Sequence, residues 1–525
     1  TMKGLSGDMV GGSVHIVNTG GMTAADIAAK GNVTIMQKGA LTTGAIKTAK
    51  AGAAAGDVIL STDDKLTVQG EMDAAGSAEL TAEQDIALKK AVKIGKDLTA
   101  TATGSFTATN VTADGNASLT AGADLTAANV TTGGSLDAAA QNITAGEIKS
   151  VGDTTLTAST GNLNVRNITA DGNASLTAKR DATIGGAVKT GGDFNANTGN
   201  DLTVNGAVTA NKNITLHTGR DLTVNGAVLS RGMTTIEAGR DAKFNGSLTS
   251  EKNLSITAKN NIAVQEGVNV STNADGTLKA QSADLGGDVH ADGTLTIETK
   301  ETLEVKNVTA GKAAALTAGT SLTAANVEAG DAATLKAGTD LKAANVTAGE
   351  AATLNAGKEL NAQNVKSDKG TATLTAGTKL TAQNVTAKVD AVLHAGTDLK
   401  ALNVTTGKNV ALTAEKNIAV HDVTAGGNVS LTAGHDAAID GAVKTGDSAI
   451  LTAKHDATIG GAVTAGGDFS ADTGNDLTLN GAVTAQKNLT LHTDNDLTLN
   501  GAVLSRGMTK IEAGRDAKFN GSLTS

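Results

Sequence analysis

Apolar residues alternate with polar ones in short runs along most of this chain, and the runs return every 19 to 20 residues. Residues 308–327 (VTAGKAAALTAGTSLTAANV) show one period. Val308 and Ala310 form a first run, Ala314, Leu316 and Ala318 a second, and Leu322 and Ala324 a third. Alternation with period two over a few residues predicts β-strands. Gly311, Gly319 and Asn326 separate the runs and are residue types that tolerate left-handed backbone angles, so they predict corners. Three strands and three corners make a triangular coil. The helical period is absent, and Gly, Thr and Asn are poor helix formers, which excludes a helical repeat.

The anchors of each strand repeat in register. Val308, Val327, Val346, Val365, Val385, Val404 and Val423 mark the first strand. Leu316, Leu335, Leu354, Leu374, Leu393 and Leu412 mark the second, and Leu322, Leu341, Leu360, Leu380, Leu399 and Ile418 the third. Like residues therefore stack on like, the signature of a solenoid whose units share one core and cannot fold singly. The period depends on one corner. It spans five positions in Leu341 to Val346 and six in Leu222 to Val228, where Asn-Gly supplies the turn. From Ile168 to Leu248, and again from Val423 to Leu523, the anchors advance by 20. Near the start they are looser: about Val10, then Ile27, Ile46, Met72 and Val92. The wide gap from Ile46 to Met72 holds Ala51-Gly52-Ala53-Ala54-Ala55-Gly56 and predicts a loop bulging from one coil.

The expected fold is all-β, a parallel β-helix of about 27 triangular coils of 19–20 residues. At ~4.8 Å per strand spacing these would make a rod of roughly 130 Å. Three stretches are expected: 1–97 with irregular coils and the loop, 98–250 with regular coils, and 251–525 as a second block of 14 coils. Residues 451–525 repeat 176–250 at 63 of 75 positions without a gap, which points to duplication of the whole block. No capping sequence is visible at either end, so the chain reads as a segment of something longer or as a rod that meets others end to end. Thr1-Met2-Lys3 leads directly into repeat-like sequence, with no signal peptide in front.

Composition fits a thin, uniform core. Pro, Cys, Trp and Tyr are absent, and there are five Phe. Pro would break β ladders, and a core built from the same small aliphatics at each level does without large aromatics. Phe194 lies one block from Phe469, and Phe244 one block from Phe519, which suggests core filling ahead of the alternative, a contact face. The net charge is −10, with single charges scattered. The densest basic stretch, Lys89, Lys90, Lys93 and Lys96, reads as a solvated edge. Without a basic stripe or stacking aromatics, nucleic-acid binding is not expected. No apolar run is long enough to span a membrane.

Candidate chemistry is sparse. Asn307, Asn326, Asn345, Asn364, Asn384 and Asn403 fall on one corner of successive coils and predict a ladder of amides along the axis. Several also read as glycosylation sequons, Asn345-Val346-Thr347 and Asn116-Ala117-Ser118 among them. Outward Thr309, Thr317 and Thr323 suit a β surface, and Glu328, Lys336, Lys342 and Lys366 interrupt any flat ice-binding array. His15, His217, His290, His394, His421, His435, His455 and His492 do not cluster in sequence and read as surface residues. No nucleophile elbow, calcium loop or phosphate-binding glycine motif occurs. No catalytic, cofactor-binding or metal-binding residue is nominated, and no cofactor is expected.

Runs such as LTAGADLTAANVTTGG (119–134) and LKAGTDLKAANVTAG (335–349) resemble the repeats of filamentous haemagglutinin-type exoproteins, the bacterial adhesins and contact-dependent inhibition proteins exported by two-partner secretion. The resemblance is clearest from about residue 98 onward. It implies a right-handed parallel β-helix serving as a stalk on the outer surface of a bacterial cell. It also implies that secretion, receptor-binding and toxin regions lie elsewhere. The expected function is a structural stalk or fibre segment, not an enzyme. The expected partners are further coils or other copies, end to end or side by side, and a receptor on a host or neighbouring cell. A self-assembling filament subunit is the second reading, and a polysaccharide-active β-helix a remote third.

Overall fold

A computed structural model describes residues 12–51 and 54–525, and every regular element among them is a β-strand. The chain divides into two compact units, Thr1–Asn260 and Asn261–Ser525. Each unit is a parallel β-solenoid. In the first, the second strands of successive coils run from Val14–Thr19 to Leu254–Ala258, 13 in all. The second unit holds another 13, from Gly276–Ala280 to Thr509–Ala513. The anchor expected near Val10 lies outside the described residues.

Register is set by the alternation. The second strand Ala314–Ala318 buries its first, third and fifth residues and turns the others outward. Its Leu316 pairs with Leu335, which pairs with Leu354, so leucine stacks on leucine through the interior. Val308, Val327 and Val346 stack in the same way. A slip by one residue would turn every aliphatic outward, and burial forbids it. The irregular opening coils follow the expected anchors: Ile27 pairs with Ile46, Ile46 with Met72, and Met72 with Val92. The bulge between them carries a short antiparallel ladder, Lys50 opposite Ala55 and Ala51 opposite Ala54. Buried Thr48 closes its base, donating to the Gly56 carbonyl at 2.6 Å and accepting from the Ala75 amide at 2.9 Å.

Two details of the corners depart from the sequence reading. First, the Asn corner of a 19-residue coil is a bend inside one strand, Leu322–Ala329, because the five-position corner never leaves extended geometry. In the 20-residue coils the added residue splits that strand into Leu202–Val204 and Val208–Ala210. Second, the corner glycines are not there for left-handed angles. Among the described residues only Gly20, Gly39 and Gly267 have positive φ. A Cβ on Gly338 would lie 1.9 Å from the Gly319 carbonyl oxygen, and one on Gly319 2.0 Å from that of Lys300. At Gly338 and Gly319 the main chain of one corner rests where a Cβ would stand, although Lys300, Glu415 and Lys454 fill the same corner position in other coils.

The core is aliphatic, with hydroxyls at its edges. Phe106, Phe194, Phe244 and Phe469 are buried, as expected for core filling. Buried Thr190 and Ser230 occupy inward positions that hold Ala in other coils, and each donates to a corner carbonyl (Gly192 O at 3.1 Å, Lys212 O at 2.9 Å). A buried hydroxyl with such a partner carries little desolvation penalty.

Candidate functional site

The Asn ladder forms as the sequence predicts. In the second unit, Asn326, Asn345, Asn364, Asn384 and Asn403 each donate through Nδ2 to Oδ1 of the Asn in the preceding coil, all at 2.8 Å. The series starts on a carboxylate, Asn307 donating to Asp288 at 2.6 Å. It stops at Asp422, whose Oδ1 instead accepts the Ala442 amide at 2.8 Å as the coils lengthen to 20 residues. The Asn-Gly turns carry their own shorter ladders, Asn225 on Asn205 and Asn500 on Asn480.

A second ladder, not foreseen, runs along the corner before the third strand. Each Asp there accepts the backbone amide of the Asp one coil on. Asp456 donates in this way to Asp436, Asp476 to Asp456 and Asp496 to Asp476, all at 3.1 Å. In several coils the residue just before the Asp reaches back to the same carboxylate. Arg240 grips Asp221 with Nε and a terminal nitrogen, Arg515 grips Asp496 likewise, and Asn475 donates to Asp456 at 2.7 Å. The Arg240 hydrogen bond is the main reason the Asp221 carboxyl sits below its ordinary pKa. The recurring pair of a donor followed by Asp is the sequence signal that could have found this ladder.

In the coils at 435 and 455 the reach-back position is histidine. His455 Nδ1 lies 2.9 Å from Asp436 Oδ1, and His435 Nδ1 lies 3.1 Å from Asp436 Oδ2. The two rings stack with centroids 4.6 Å apart. Histidines that look scattered in sequence are thus neighbours, because a separation of 20 residues is one coil. His217 and His492 do sit outward on strands, as expected.

A groove in the second unit comes from a step in corner size. Ile262 to Val270 spans eight positions, Ala283 to Val289 six, and Leu303 to Val308 five. The extra residues form a turn, with Val268 N donating to Gln265 O at 3.1 Å and Gly267 at φ 77°. This turn overhangs the narrower corners beyond it. Lys306 closes one end of the groove by bonding Glu266 across two coils. The groove measures about 400 Å3, with Ala324, Ala325, Ala343 and Ala344 among its lining and Glu304 and Lys342 as flanking charges. The pairing with Lys306 lowers the Glu266 pKa. A general acid for glycoside cleavage needs the opposite shift. The advance of 22 from Leu248 to Val270, with Gln-Glu-Gly inside it, was the overlooked signal.

Among the described residues no helix is long and apolar enough to cross a membrane. Residues 394–523 match the family described as hemagglutinin repeat, which bears out the filamentous haemagglutinin-type resemblance. The chain matches no curated protein and no solved structure.

Proposed function

We propose that this filamentous haemagglutinin-type repeat protein is a structural stalk segment of a secreted or cell-surface bacterial adhesin, extending from the cell and presenting a repetitive lateral surface. The observation that carries the reading is the in-register stacking of identical anchors in both units, together with the hemagglutinin-repeat match at 394–523. Such a stack adds about 4.8 Å per coil and little else. Its outward residues are mostly Thr, Asn, Lys and Asp in single-file columns, which suits solubility and length. A non-enzymatic role accords with the direction of the Glu266 shift.

The test is electron microscopy of native material on cells and shed from them, with antibody raised against the chain. Surface-labelled thin filaments are expected. Compact particles, or label confined to the cell interior, would overturn the reading. Filaments whose length grows with protein concentration would favour the self-assembling subunit over a stalk within one long chain.

A further inference from the structure

We propose that His435, Asp436 and His455 form a site for one divalent d-block cation of the zinc, copper or nickel type, which ties two successive coils of the second unit together. One ligand atom from each of the three residues falls within 4.8 Å of the others. Both imidazoles turn Nδ1 toward the same carboxylate, at 3.1 and 2.9 Å. Ligand atoms around a tetrahedral ion with bonds of ~2.0–2.1 Å stand roughly 3.4 Å apart. The two His–Asp separations are slightly shorter than this, so a small opening of half-exposed side chains admits the ion. Asp456 Oδ2 lies 3.3 Å from His455 Nδ1 and offers a fourth ligand, which water could also supply.

The ladder alone does not account for this pair. Its other reach-back residues close it with a single Arg or Asn, as Arg220, Arg240, Asn475 and Asn495 do. His435 has a different contact, turning to the carboxylate beside it in its own coil. The stacked rings hold both imidazoles beside that one carboxylate, with centroids 4.6 Å apart. The negative charge of Asp436, Asp456 and Asp476 along the same corner favours a cation there. Imidazole nitrogen with carboxylate oxygen selects zinc, copper or nickel over calcium or magnesium. The duplicated block supplies a comparison in the first unit, where the corresponding residues are Gly161, Asn162 and Arg180 and no imidazole is present.

The test is calorimetric titration of the whole chain with Zn2+, and electron paramagnetic resonance with Cu2+. One high-affinity ion per chain is expected, with two imidazole nitrogens in the copper spectrum. His455→Arg, which restores the residue used at the equivalent corner of the first unit, and His435→Asn should each weaken binding at least tenfold. Thermal unfolding in chelator checks that both variants fold. Zn2+ should raise the melting temperature of the parent and leave that of the variants unmoved, because a ligand bound only by the folded state stabilises it. No binding by the parent, or equal affinity in parent and both folded variants, would overturn the proposal.

Discussion

Phe194 and Ala196 exchange the volumes that the preceding coil gives to the same two inward positions. Ala174 and Leu176 pair with them in register, so a small-large sequence becomes large-small one coil later. Ala449 and Leu451 give way to Phe469 and Ala471 in the same manner. Leu222 and Val224 give way to Ala242 and Phe244, and Ile86 and Leu88 to Phe106 and Ala108. Each buried Phe is thus balanced by an Ala two residues away. The cross-section of the core stays constant while its shape changes.

This exchange predicts a strong coupling. Phe194→Ala leaves a cavity and should cost about 3–5 kcal/mol. Ala196→Leu overpacks the coil and should cost about 1–3 kcal/mol. The double variant restores the preceding coil's pattern and should recover most of the loss. Denaturant midpoints in a double-mutant cycle read the coupling, and additive losses would contradict it.

The Asn ladder has a direction, since every Nδ2 donates toward the preceding coil. Asp288→Asn should therefore change stability little, because Asn307 still finds an oxygen to donate to. Asn345→Asp leaves the carbonyl oxygen of Asn326 facing a carboxylate and should destabilise by about 1 kcal/mol. Thermal melts at neutral pH compare the two. Equal effects would mean that the ladder carries no energy.

Gly338→Ala should destabilise by about 1–3 kcal/mol or more, since its Cβ meets a carbonyl oxygen of the coil beneath. Gly12, with nothing among the described residues within 4 Å of a built Cβ, should accept Ala without measurable loss. The melting temperatures of the two variants decide whether stacking or flexibility selects glycine.

The Asp221–Arg240 pair predicts a dependence on acid. The Asp221 pKa is lowered from 3.8 in the folded state, first by the Arg240 hydrogen bond. Its contribution is therefore full above the unfolded value and fades as pH falls through the folded one. Arg240→Gln should remove part of the stability at neutral pH and flatten its decline below about pH 4. Unfolding of parent and variant across pH 2–7 measures this, and parallel curves would refute it.

Much of the fold was legible because a solenoid writes its core into the sequence as a period. Val308, Leu316 and Leu322 recur with their neighbours at fixed spacing, and burial fixes their register. The corner chemistry was harder to read. Gly319 suggests a turn angle in sequence and proves to be a contact between main chains. His435 and His455 look unrelated until a separation of 20 residues is counted as adjacency. The groove beside Glu266 depends on corners of three lengths lying next to one another, and no single coil displays that.

The main-chain contact at the corner glycines has a consequence for how such a protein can change over time. With the carbonyl of one corner resting where the next would place a Cβ, the rise from coil to coil is fixed by peptide atoms that every residue shares. Substitution of outward side chains leaves that spacing untouched. The lateral surface is therefore free to drift toward new contacts, while the distance that a given number of coils spans is held constant, as on a ruler whose markings can be repainted without moving.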